Sequence, residues 1–405
     1  MKAVSFPATA RPPISLVLIL GSMAALPAVT TDLYLPSLPV VAEELESSHT
    51  LVQATITGVL VGGAVGQLLT GPLSDRFGRR RPVLIGFAVH VLMSVLCALT
   101  PGIWPLVVLR VLQGIGNATA TVTAMAVIRD RYTGAGASVL MSRLMLVIGV
   151  APLFAPTAGG LIAGWWGWRS TFMVLAVLGA ILILVLSKAL PETLPPDRRR
   201  SEGLRGAARG YRVLLRDRHF MALAVLPGLG MGALMSYVAG SPFVFQEEYG
   251  LGETQFALIF AVNGAGLVAG AQVNAALMRR VTPLGVIRVI APTTAVLGVW
   301  LLLVALGGDH STGGLVALLV PLFLMLTINS LLMPNASALA LSQHGERAGS
   351  AAALVGALQA GVAGTISPVV GALGGDGIAM AAVMLTTVVV ALVVIALATP
   401  AYRRP

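Results

Sequence analysis

Twelve apolar stretches of roughly 19–26 residues run through the chain, each long enough as a helix to cross the hydrocarbon core of a bilayer. They cover 14–36, 50–72, 82–100, 103–127, 137–162, 170–190, 219–241, 254–277, 284–306, 313–334, 349–372 and 377–398. Lipid offers no partner to a bare backbone N–H or C=O, so segments of this length and polarity span as helices. Composition agrees. Only 10% of the 405 residues are charged, against roughly 25% in a soluble domain, and the mean hydropathy is +0.90. The reading is an all-α polytopic membrane protein with 12 transmembrane helices. The stretch after Lys2 and Arg11 shows no small-x-small cleavage site and reads as the first span, retained.

The basic residues supply a topology. With the N-terminus cytoplasmic, all but two of the 26 Lys and Arg fall in inner loops, at inner helix ends or in the termini. The exceptions are Arg169, in an outer loop, and Arg110, inside span four. The outer loops carry acids instead: Glu43, Glu44, Glu46, Glu247, Glu248, Glu253, Asp309 and Asp376. Trp104, Trp165, Trp166, Trp168 and Trp300 lie near the outer interface, where indoles prefer to sit. Both termini are therefore expected in the cytoplasm of a bacterial cell whose inner (plasma) membrane holds the chain. The net charge of +10 then reports topology, and no nucleic acid is expected as a partner.

The longest polar connection, 191–218, separates six spans from six. The expected organisation is an N-terminal six-helix half (1–190), a cytoplasmic linker (191–218) and a C-terminal six-helix half (219–405). Within the linker Arg205, Arg209, Arg212 and Arg216 recur at helical spacing opposite Leu204, Ala208, Tyr211 and Leu215. Two readings are open: a basic interfacial helix on anionic lipid, or a solvated linker whose charge only sets topology. The halves echo weakly, GPLSDRFGRRRPVLIG (71–86) after span two against MRRVTPLGVIRV (278–289) after span eight.

Three strings carry more than composition. In GPLSDRFGRRRP, on the inner loop after span two, Gly71 and Pro72 are expected to end a helix, Gly78 to permit a tight turn and Pro82 to start the next helix. Asp75 can accept from arginines such as Arg76, Arg79 or Arg80, or face a helix N-terminus in the other half, making a conformational latch. The string resembles the loop signature of the major facilitator superfamily, which implies two six-helix bundles with the site between them. In span four, Arg110 costs at least about 2.5–3.5 kcal/mol to place in hydrocarbon and is expected to face the protein interior. Gln113, Gly114 and Asn117 continue its face. R-x-x-Q-G-x-G-N resembles the span-four motif of the 12-span drug/proton antiporters, which implies a role for Arg110 in proton coupling. In span five, GVAPLFAPTAGG places Pro152, Pro156, Gly159 and Gly160 so as to make a bent, closely packed helix at the interface of the halves. It resembles the antiporter motif of drug exporters, with Ala155 where that motif usually has Gly.

Asp32 is the only carboxylate placed inside a span. It is either a solvated acid at the outer helix end or a titrating group facing the cavity, where burial raises its pKa and a nearby Arg110 lowers it. DLYLPSLP resembles the span-one signature of the Bcr/CflA drug-resistance transporters, and the likeness extends through RDRY (129–132), GWR (167–169), PETLPP (191–196) and SPFV (241–244). It implies an antiporter exchanging protons for small, fairly hydrophobic drugs such as chloramphenicol or bicyclomycin, with Asp32 and Arg110 in proton coupling. Candidate substrate contacts are Tyr34, Gln113, Asn117, Tyr237, Asn263 and Gln359, each also a plain interhelical hydrogen-bonding group. His90 and Cys97 read as structural.

The nearest rival is a proton symporter importing a small metabolite. A membrane enzyme is disfavoured, since the chain has neither H-E-x-x-H nor G-x-x-x-x-G-K-[ST] and only short loops. No metal and no cofactor is expected, the proton gradient being the energy source. The partners expected are the drug, protons and lipid, with the chain a monomer because both halves lie in it.

Overall fold

The computed structural model describes residues 13–132, 134–199, 203–342 and 348–399, with some side chains inside helices, including those of Pro152, Arg205 and Glu253, also outside the description. Lys2, Arg11, Arg200, Arg347, Arg403 and Arg404 lie outside the described residues.

The described residues are almost wholly helical. Span one is α1 (Ile14–Asp32), a 3₁₀ turn (Leu35–Ser37) and α2 (Leu38–Glu44). Then follow α3 (His49–Phe77), α4 (Arg80–Ala98), α5 (Ile103–Arg131), α6 (Gly134–Trp166) and α7 (Arg169–Ala189). The linker forms α8 (Gly203–Arg216). Span seven is α9 (Arg218–Pro242) with a π-helical turn, Phe243–Glu248. The rest are α10 (Glu253–Leu277), α11 (Pro283–Leu306), α12 (Thr312–Asn329) with α13 (Leu332–Ser342), α14 (Ala348–Ala372) and α15 (Gly377–Ala398). Among the described residues, eleven helical segments are long and apolar enough to span. The remaining expected span falls on α6, 33 residues long.

Several spans outrun their apolar cores. Span one ends at Glu44, not 36, and α3 ends at Phe77, so Gly71 and Pro72 do not end a helix. A proline removes one ladder hydrogen bond, and a helix held by its neighbours passes through it. Pro36 and Pro39 fall in the first turns of new helical segments, where a missing N–H is harmless. Leu35, Leu38 and Val41 stay buried throughout. Span ten, expected as one helix, breaks between Asn329 and Leu332.

Small residues set how the first six spans pack. Gly58, Gly62 and Gly66 form a row on α3 against the backbone of α5: a Cβ on Gly62 would fall on the Val111 carbonyl, and one on Gly114 on the Val59 carbonyl. α4 packs on α5 and α7, and α1 on α6; in the second set α14, α15 and α13 pack on α9, and α11 on α15. The two sets meet along α3–α14 and α6–α10.

Four of the five tryptophans are exposed on the surface, as interface residues should be, but Trp168 is buried. Its Nε1 donates to Glu44 Oε2 at 2.8 Å, and Arg169 lies over its ring at 4.2 Å while pairing with the same carboxylate at 2.7 Å. The lone basic residue of the outer loops is thus neutralised by an acid at the tip of span one.

Candidate functional site

Arg110 is fully buried. Its Nη1 donates to the Thr30 carbonyl of α1 at 3.2 Å and to Gln113 Oε1 at 2.7 Å, and its Nε to the Thr55 carbonyl of α3 at 3.4 Å. Tyr34 and Phe172 cover the guanidinium, with centroids 5.3 and 5.5 Å away, and pack on each other at 5.0 Å. Such aromatic faces stabilise a desolvated cation. Gln113 passes the network on: its Nε2 donates to Ser94 Oγ at 2.7 Å, and Ser94 donates to the His90 carbonyl at 2.7 Å. His90 is buried, 3.4 Å from the Leu175 carbonyl through Nε2. Arg110 Nη2, His90 Nδ1 and Asn117 Oδ1 are buried without a hydrogen-bond partner.

Asp32 ends α1 but not span one. It is 6% exposed and lies deep in the segment Ile14–Glu44, so the reading as a solvated acid at the outer surface is set aside. It does not pair with Arg110: among the described residues no ion pair or hydrogen bond reaches its carboxylate. The hydrogen bonds that Arg110 makes go instead to two backbone carbonyls and Gln113. The expected short-range tuning of one by the other is therefore not the arrangement found. Tyr237 is fully buried, accepts from Asn263 Nδ2 at 3.1 Å and stacks on Phe260 at 5.4 Å. Tyr237 and Asn263 thus form a hydrogen-bonded pair on spans seven and eight, with Arg110, Gln113 and Tyr34 a separate cluster within the first set, and Asn117 is buried on the same helix as Arg110. Gln359 joins neither: its Nε2 contacts Met333 Sδ at 3.6 Å on span ten.

At the end of the bundle expected to face outside, hydrogen bonds tie the sets together. Gln53 of α3, fully buried, donates to the Ala239 carbonyl at 3.2 Å and accepts from Gly371 N of α14 at 2.8 Å. Gln246 donates to the Pro36 carbonyl at 3.3 Å. His49 stacks on Phe243 at 4.2 Å and lies 3.4 Å from Glu247.

At the end expected to face inside, Asp75 takes the first of its two expected roles. It accepts from Arg79 at 2.6 Å, one turn on. Arg79 also pairs with Asp130 of the RDRY string at 2.8 Å and donates to Ser74 at 3.0 Å. Burial opposes the Arg79 charge, but the hydrogen bonds to Asp130 and Asp75 outweigh it and hold its pKa above the ordinary arginine value. Gly78 turns with φ +89, and a Cβ there would strike Glu192. Glu192, in PETLPP, accepts from the backbone N–H of Arg79 at 2.8 Å, of Arg80 at 3.3 Å and of Thr193 and Leu194 at 3.0 Å. Burial pushes its pKa up, but these donors and Arg199 outweigh burial, and it settles below the ordinary value. Thr193 closes the ring on Asp130 at 3.1 Å. Arg80 donates to the Ser187 carbonyl. Arg76 lies over Phe77 at 5.2 Å, outside this cluster.

In span five, α6 runs unbroken through the motif. Pro156, Gly159 and Gly160 are buried, and a Cβ on Gly159 would fall on the Leu33 carbonyl, beside Asp32. The motif thus packs against span one, while α6 as a whole also meets α10.

Sequence reasoning missed Ser94, Thr30, Thr55, Asp130 and Glu192 as partners. For Asp130 and Glu192 a signal existed, since the inner arginines need acids. The carbonyls of Thr30 and Thr55 carry none.

This arrangement meets independent likenesses. The family model described as Major Facilitator Superfamily matches residues 18–368. An uncharacterised MFS-type transporter, YdgK, of Bacillus subtilis is 35% identical over 384 residues, 94% of each chain. The bicyclomycin resistance protein homolog of Haemophilus influenzae is 28% identical over 85% of each chain. Among solved structures, the xylose transporter XylE from E. coli in a partially occluded inward-open conformation superposes with a TM-score of 0.73 at 14% identity, covering 94% of this chain and 96% of that one, a likeness of fold alone. With a family model matched over residues 18–368, a relative 35% identical over 94% of the chain, and an all-helical fold in which an inner loop signature is held by its own acids, the chain belongs to the Major Facilitator Superfamily, whose members are transporters.

Proposed function

We propose that the chain exports small, fairly hydrophobic drugs in exchange for protons, by alternating access, from the inner membrane of a bacterium, with 191–218 as the cytoplasmic linker and both termini inside. Asp32 carries the reading. It is a buried carboxylate deep in a membrane span, with no basic partner among the described residues, just before the turn (Leu35–Ser37) that packs on α9 and α10 of the second set. A carboxylate so placed is stable when protonated or when a ligand satisfies it. Proton and drug therefore compete for the same position, and each favours a different facing state. Arg110, bonded to the Thr30 and Thr55 carbonyls, ties spans one, two and four together around that position. Tyr237 and Asn263 supply polar contacts and Phe260 an apolar wall. The drug class comes from the printed name of the Haemophilus influenzae relative and from the DLYLPSLP resemblance.

The test uses inverted vesicles with an acid interior and a pH-sensitive dye. A panel including bicyclomycin and chloramphenicol is added to wild type and Asp32→Asn at matched protein level. Drug-driven proton efflux in wild type and its loss in the variant is the expected result. Efflux that survives in Asp32→Asn moves the proton site elsewhere. No response to any compound, with a small metabolite instead moving in with protons, overturns export.

A further inference from the structure

The linker helix α8 is neither free in solvent nor detached from the bundle. Its inner face binds both six-helix sets. Tyr211 donates to the Leu68 carbonyl of α3 at 3.1 Å. Gly210 backs onto Ser350 of α14, where a Cβ would come within 3.0 Å of the hydroxyl. Leu214 is fully buried in a cluster with Phe220, Leu223 and Leu354. The opposite face is unlike a solvated one. Arg209, Arg212 and Arg216 are exposed along it, and Val213 and Leu215, 45% and 53% exposed, flank them. The helix has no acidic residue, and these arginines make no ion pair among the described residues. Asp217 ends it and caps α9, accepting from His219 N and Phe220 N at 3.0 Å, so α8 leads directly into span seven and lies beside its end.

We propose that the outward face of α8 binds the anionic headgroups of inner-leaflet phospholipids, and that occupancy acts on both six-helix sets because α8 is fastened to each. Arginines supply the charge-assisted hydrogen bonds, and Val213 and Leu215 reach the acyl boundary. Lipid occupancy then braces the strut between the inner ends of spans two and eleven, which regulates the exchange between facing states. The proposal concerns regulation and does not depend on what is transported.

The test titrates the purified full chain with phosphatidylglycerol against phosphatidylcholine and counts bound lipids by native mass spectrometry, with the melting midpoint as a second readout. Wild type should retain phosphatidylglycerol in preference, by about fivefold for each arginine engaged, and the preference should fall as salt is raised. Arg209→Gln/Arg212→Gln/Arg216→Gln should abolish the preference and the rise in midpoint that phosphatidylglycerol gives wild type. The matching triple Lys variant should keep both, which guards against a folding defect. Arg279→Gln/Arg280→Gln, on another inner loop, should change nothing. Equal retention by wild type and the triple Gln variant overturns the proposal. So does an equal loss from the Arg279/Arg280 variant, which would make the effect one of total inner charge.

Discussion

Replacing Gln53 with leucine removes the amide that joins the two sets on the outer side while keeping the bulk of the side chain. Gln53 is fully buried and donates to Ala239 O at 3.2 Å while accepting from Gly371 N at 2.8 Å. Each hydrogen bond is worth about 0.5–1.5 kcal/mol net, so the pair holds the outer side closed by about 1–3 kcal/mol, a population shift of about 5- to 150-fold. The shift can be read by cysteine labelling, because the chain has one cysteine, Cys97, and it is buried. Ser37, 1% exposed in the turn under spans seven and eight, is the reporter. Ser37→Cys reacts with a membrane-impermeant maleimide added outside only when the outer side opens, so with fast opening the rate follows the open population. Adding Gln53→Leu should raise that rate within the stated range. A rate within about twofold of the parent, with normal melting and yield, would refute the assignment of Gln53 as an outer clasp.

Neighbouring glycines on α3 should respond with opposite sign: Gly62→Ala drives a Cβ into the Val111 carbonyl and should destabilise by about 1–3 kcal/mol, while Gly63→Ala meets open space and should be neutral or gain about 0.5–1 kcal/mol from helix propensity. Melting of the two variants side by side checks this. Ser94→Ala strands the buried Gln113 amide and should cost about 1–3 kcal/mol in the same assay, with recovery in Ser94→Thr. Glu192 has a folded-state pKa below 4.5, so its stabilisation is full above that pH and is lost as pH falls through the lower folded value. Wild type should therefore melt above Glu192→Gln at neutral pH, and the two should converge in acid.

The spans were legible because hydrocarbon imposes a length and a polarity that composition reveals residue by residue. Asp32 and Arg110 were legible for the same reason, as charges that stand out against it. What they touch was not. Arg110 looked like the natural partner of Asp32, yet its donors go to carbonyls of Thr30 and Thr55 that any residue could supply. Gln53 reaches residues 186 and 318 positions away, and only packing brings these together. Pro72, with Gly71, reads as a helix end, but α3 runs through it to Phe77 because its neighbours hold it. The linker helix showed its arginine spacing plainly, while its grip on α3 and α14 through Tyr211 and Gly210 left no trace in the pattern.

The central claim is that proton and drug exchange at Asp32. Binding of drug to the purified protein in weakly buffered solution, followed with a pH indicator, tests it without a membrane gradient. On the account given, wild type releases protons on binding, its affinity weakens as pH falls, and Asp32→Asn binds with neither effect. Proton release that persists in Asp32→Asn, or binding to wild type that is indifferent to pH, would contradict it.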